Sequence, residues 1–235
     1  MPYRLVVQGL EISLPEWGAV DLGSISFNKP RVEAFSDGVF AIAITLLVLG
    51  FQVPQPAPDA DAGLARDLLA MWPQYVVYAA SFATIGIMWM NHHSLFDHTE
   101  RISHGVMTAN LALLMLVSFL PFPTSVLGRY GITPVAVVYY GLTMVGLSLC
   151  FNVLGYLASL SPAEPARLLD FLRKRNLWNT AGLLGYVVGI GVALVEPVWT
   201  IALYAAMAAY YLSPAALRGN PAAQAARVAP GEGLR

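Results

Sequence analysis

Long apolar runs separated by short polar connectors dominate this chain. A helix crossing the hydrocarbon core needs about 20 apolar residues, with some latitude. Six runs qualify: Ala34 to Gln52, Trp72 to Met90, Gly105 to Leu127, Pro134 to Leu160, Leu177 to Val195 and the shorter Pro197 to Leu212. Pro121 and Pro123 bend or end the third, because proline removes a backbone donor inside a helix. Pro134 and Pro197 suit first-turn positions, where a missing N–H does no harm. The pattern predicts an all-α polytopic membrane protein with six transmembrane helices.

Within the first run, Phe35, Gly38, Ile42, Thr45, Leu46 and Leu49 recur at steps of three and four and share one helix face. Asp37 falls off that face. An acid placed within a span costs roughly 2.5–3.5 kcal/mol on insertion scales, so it calls for a partner. Ser36 and Asp37 could instead cap a helix beginning at Gly38, but too few residues then remain to Gln52 for a full span. Candidate partners are Arg31 and the string WMNHHSLFDH ending the second run, which carries Trp89, Asn91, His92, His93 and His98. Adjacent histidines cannot face the same way on a helix. Asp97, four residues after His93, is the plausible pair. With no cysteine or carboxylate set beside them, the histidines read as a hydrogen-bonding cluster and not as a metal site. Indole, amide and imidazole groups are the donors a buried carboxylate needs. Gly182, Gly185 and Gly189, and Ala205 with Ala209, mark closely packed helix faces.

Composition agrees with the membrane class. Of the 235 residues, 57% are hydrophobic and 11% charged, against about 25% charged in a soluble domain; mean hydropathy is +0.61. A net charge of −1 gives no basis for nucleic-acid binding. The single cysteine, Cys150, reads as a small packing residue. Basic residues are sparse between runs one and two, three and four, and five and six. They gather before run one and after runs two, four and six. This places both termini in the cytoplasm, with Trp72, Trp178 and Trp199 as interfacial anchors. Residues 1–30 lack a signal-peptide pattern and read as a cytoplasmic arm, 31–215 as the membrane domain, and 216–235 as a disordered tail.

Arg31-x-x-x-Phe35-Ser36-Asp37 on a first span, six spans in all, and Trp89-x-Asn91-His92-His93 closing span two together resemble the transmembrane protein 175 family. These are lysosomal potassium channels of animals and their single-repeat bacterial relatives. The resemblance covers roughly residues 30–215. It implies a potassium-selective channel, a homotetramer with span one lining a central pore and K⁺ as permeant ion without further cofactor, while the lack of a targeting peptide points to the plasma membrane. Ile42 would form the narrowest ring, with Leu46 and Leu49 continuing the apolar lining and Thr45 beside the constriction. Arg31, Phe35, Ser36, Asp37, Trp89, Asn91, His92 and His93 would position the pore helix. Such a lining contains no carbonyl filter motif and no charged ring on the stripe; a ring of isoleucines gates by dewetting.

Three other classes compete, one of them a structural membrane protein without ion flux. A secondary transporter predicts inverted repeats and broken, charged helices at mid-membrane, whereas spans three to six are nearly free of charge. An enzyme would need a nucleophile or metal set near the histidines, and none is evident.

Overall fold

The computed structural model describes residues 4–7, 10–13, 26–54, 60–99, 101–160 and 181–213. Strands β1 (Arg4–Val7) and β2 (Leu10–Ser13) form an antiparallel hairpin. A second antiparallel bridge joins β3 (Ser26–Phe27) to β4 (Ile102–Ser103), with Phe27 opposite Ile102. The helices are α1 (Lys29–Leu46), α2 (Ala60–Ala70), α3 (Trp72–Asp97), α4 (His104–Phe119), α5 (Pro121–Tyr130), α6 (Pro134–Ser159), α7 (Ala181–Ala193) and α8 (Pro197–Leu212).

Local chemistry sets the helix ends. Asn28 accepts from the Arg31 N–H at 3.2 Å and Pro30 lies in the first turn, so α1 starts at Lys29, inside the stretch expected to be arm. Beyond Leu46 the helix tightens into one 3₁₀ turn, Leu47–Gly50. The Ser103 hydroxyl caps α4 by accepting from Val106 N–H. Pro121 ends α4 and opens α5, as proline in this run predicts. Pro134 and Pro197 occupy the first turns of α6 and α8. Helix α3, the second apolar run, continues to Asp97, past the expected Met90, its polar end tied by the His92–Asn110 and Trp89–Asp37 contacts.

Among the described residues three segments are long and apolar enough to cross a membrane: Lys29–Gly50, His104–Tyr130 and Pro134–Ser159; Gly63–Ala70 and Trp72–Asp97, bent by 45° at their break, give a fourth when counted together as one span. Helices α7 and α8 are apolar but shorter. The expected start of run five at Leu177, Trp178, and the tail 216–235 lie outside the described residues.

The core forms where α4 lies along α6, α1 lies against α3 and α4, and α8 lies against α3. The glycines expected to mark close packing do so on α7. A Cβ at Gly185 would come within 2.5 Å of the Met207 methyl, and Gly182 and Gly189 face Tyr211 and Tyr204 on α8. Polar ties cross the apolar interior: the Ser81 hydroxyl lies 3.0 Å from both Thr124 Oγ1 and Tyr140 Oη, joining α3, α5 and α6.

Candidate functional site

Two faces of α1 differ in kind. Val32, Ser36, Phe40 and Ala43, with Leu47 of the 3₁₀ turn, are buried against the other helices. On the opposite side every residue of the sequence-defined stripe is exposed: Phe35 at 52%, Ile42 at 61%, Leu46 at 39% and Leu49 at 72%, with Gly38 and Thr45 between them. The Thr45 hydroxyl donates to the Ile42 carbonyl at 2.8 Å, which leaves its oxygen lone pairs on the stripe side. The 3₁₀ turn eclipses residues three apart, so Leu49 stays above Leu46.

The buried face is held by a relay of polar groups. Ser36 Oγ donates to the Val32 carbonyl at 2.8 Å and accepts from Asn110 Nδ2 on α4 at 3.0 Å. Asn110 Oδ1 lies 2.8 Å from His92 Nε2 on α3. Because Oδ1 can only accept, this network places the His92 proton on Nε2. Ser36, Asn110 and His92 are all essentially inaccessible. The His92 ring stacks on Phe96 at 4.3 Å and tilts against Phe40 at 5.4 Å. Three helices thus meet at one hydrogen-bonded chain, at the level where α1 and α4 begin and α3 ends.

Asp37 sits at the edge of this arrangement, half-buried, and accepts from Trp89 Nε1 at 2.8 Å. The Trp89 ring stacks with His93 at 6.0 Å. His93 Nε2 in turn lies 3.6 Å from Asp97 Oδ2. Residues 89, 93 and 97 follow the four-residue helical step, so this second line runs along one side of α3. Asn91 is half-buried on the same helix.

Of the expected positioning residues, Ser36, Asp37, Trp89, His92 and His93 therefore come together in two adjacent lines. The donor to Asp37 is Trp89, not Arg31 or a histidine; His92 serves Ser36 through Asn110. Arg31 and Phe35 lie on the exposed face of α1. Sequence reasoning missed Asn110. Its signal was a lone carboxamide within the apolar run GVMTANLALLML, a residue type that in a span needs a partner. Among the described residues no three His, Cys, Asp or Glu side chains gather to hold a metal.

A bundle of membrane-length helices, the first of them anchored by buried polar groups on one side and apolar and exposed among the described residues on the other, defines a polytopic helical membrane protein. The profile of the family described as endosomal/lysosomal potassium channel TMEM175 matches residues 31–121, which contain both lines of the anchor. A Streptomyces collinus protein named as a potassium channel is 41% identical over 192 residues, 77% of this chain and 90% of that one. The crystal structure of a lysosomal potassium-selective channel TMEM175 homolog from Chamaesiphon minutus superposes with a TM-score of 0.71 at 36% identity, covering 82% of this chain and 98% of that one. Mouse TMEM175, named as an endosomal/lysosomal proton channel, is 42% identical over 100 residues, 40% of this chain and 20% of that protein. The chain belongs to the TMEM175 family.

Proposed function

We propose that the chain is the subunit of a potassium-selective channel: a homotetramer of six-span subunits in the plasma membrane, both termini cytoplasmic, with α1 lining the central pore. Helices α7 and α8 are counted here as the fifth and sixth spans. The observation that carries the reading is the two-faced α1. Its anchored face is fixed by Ser36, Asn110 and His92, while its apolar face from Phe35 to Leu49 stays exposed among the described residues. Four copies around an axis give that stripe a place. The names of the Streptomyces relative and of the Chamaesiphon homolog support potassium as the ion.

In this arrangement Ile42 forms the narrowest ring. A cation passing apolar side chains sheds water without gaining oxygen ligands, so the ring sets the main barrier. Leu46 and Leu49 extend the dry segment. Thr45 contributes hydroxyl oxygens next to Ile42. The remaining polar residues position the pore helix: Ser36 and Asp37 on α1, Trp89, His92 and His93 on α3 and Asn110 on α4 hold it, and none of them touches the ion. Liposomes containing the purified chain, loaded with KCl and diluted into NaCl, should release K⁺ far faster than Na⁺ enters, without any coupling ion. Flux that requires a proton or sodium gradient would point to a transporter and remove the channel reading.

A further inference from the structure

The exposed stripe of α1 does not end at Phe35. At 3.6 residues per turn, Arg31, Phe35, Gly38 and Ile42 fall within about 30° of a common line. Arg31 is exposed like the rest, and it lies about 16 Å along the helix from Ile42 at 1.5 Å per residue. The other charges at this end of α1 are spoken for. Lys29 pairs with Glu33 at 3.7 Å on the far side of the helix, and Asp37 accepts from Trp89. Among the described residues, no carboxylate pairs with Arg31. Asn28 fixes the helix start three residues before Arg31, so the positive end of the α1 dipole adds to the guanidinium.

Resting on the pore reading above, we propose that Arg31 is a rectification-determining residue. Four Arg31 side chains ring the N-terminal mouth of the pore and deplete cations there. The ring lies outside the dry segment, in water, so it does not coordinate K⁺ or set selectivity. It lowers the concentration of cations entering from that side and leaves entry from the other side unaffected. Current carried by K⁺ entering at the N-terminal mouth is therefore smaller than current in the opposite direction. Because a wet ring of charge is screened by salt, with a Debye length of about 10 Å at 0.1 M and 3 Å at 1 M, the asymmetry fades as ionic strength rises.

The test is the current–voltage relation of the full chain in excised patches, in symmetric KCl at low and at high concentration. At low salt the ratio of currents at equal and opposite voltages should be roughly threefold, the Boltzmann factor of a mouth potential near one kT. It should approach one at high salt. Arg31→Gln should give a ratio near one at both concentrations, Arg31→Lys should behave as the unchanged chain, and Arg31→Glu should reverse the asymmetry. A salt-independent ratio in the unchanged chain, or the same ratio in Arg31→Gln, overturns the proposal. Should Arg31→Gln fail to assemble, the salt series on the unchanged chain decides alone. An Ile42→Asn channel separates the two levels. If it conducts differently while the Arg31 series is flat, only the mouth assignment fails; if a correctly assembled Ile42→Asn channel leaves conductance and selectivity unchanged as well, the pore reading fails with it.

Discussion

Asn110 occupies the most demanding position among the polar residues. It donates to Ser36 and accepts from His92 in a region closed to solvent. A leucine there keeps the branching at Cγ but strands the His92 N–H without an acceptor and removes the donor to Ser36. An unsatisfied buried group costs about 1–3 kcal/mol. Asn110→Leu should therefore lower the thermal midpoint of the detergent-solubilised protein clearly. Trp89→Phe, which removes a donor from the half-buried Asp37, should lower it less. An Asn110→Leu protein as stable as the unchanged one would mean the relay does not hold α1. At this scale the sequence made Asp37 legible, since an acid at the head of an apolar run demands a donor and the indole of Trp89 was among the nearest on offer. It did not reveal the order of partners. Which of two adjacent histidines turns inward depends on the rotation of α3 about its own axis, and that is set by packing of Phe96, Leu95 and Ile85, not by spacing within the motif.

Element by element, the helices of membrane length were legible because apolar length is itself the physical requirement. Pieces outside that logic were not. Helix α2, ADAGLARDLLA, mixes Asp61, Arg66 and Asp67 with leucines and is too short to register as a span. The strands β3 and β4 are two residues each and exist through their mutual pairing; no periodicity could announce them. Yet β3 leads through Asn28 into α1 and β4 directly into α4, so this bridge aligns the starts of the two helices that Ser36 and Asn110 then join. The far end of α1 is fixed differently, by close approach. A Cβ at Gly50 would lie 3.1 Å from Ser125 Cβ and 3.4 Å from its Cα on α5. Backbone cannot yield as a flexible side chain does. Gly50→Val should push the 3₁₀ turn off α5 and destabilise by about 1–3 kcal/mol, the usual cost of overpacking. Gly38→Ala, with nothing within 4 Å of its added Cβ in the single chain, should leave the fold of the subunit intact. Equal melting temperatures for the two variants would show that the α1–α5 approach is not a constraint.

For the whole molecule, the exposed apolar face of α1 and its anchored reverse are two halves of one requirement. A helix that lines a pore must be held from behind. The position that tests this most directly is Ile42, 61% exposed at the centre of the stripe. Ile44, two residues on, is partly buried and packs against the core, so it serves as the internal control. Asparagine at 42 replaces an apolar surface with amide dipoles and lets water into the ring, lowering the cost of dehydrating a cation. Because the discrimination between K⁺ and Na⁺ depends on that cost, conductance should rise and selectivity should fall together. In a barrier of this kind, each 1.4 kcal/mol removed is about tenfold in rate. Asparagine at 44 meets packed side chains instead, and should lower stability without raising flux. The measurements are single-channel current and reversal potential under bi-ionic K⁺/Na⁺ conditions, with subunit stoichiometry by mass on the same preparations. A correctly assembled Ile42→Asn tetramer with unchanged conductance and selectivity would take Ile42 out of the ion path. A monomer would leave the stripe facing lipid, where an unbroken apolar face needs no further explanation.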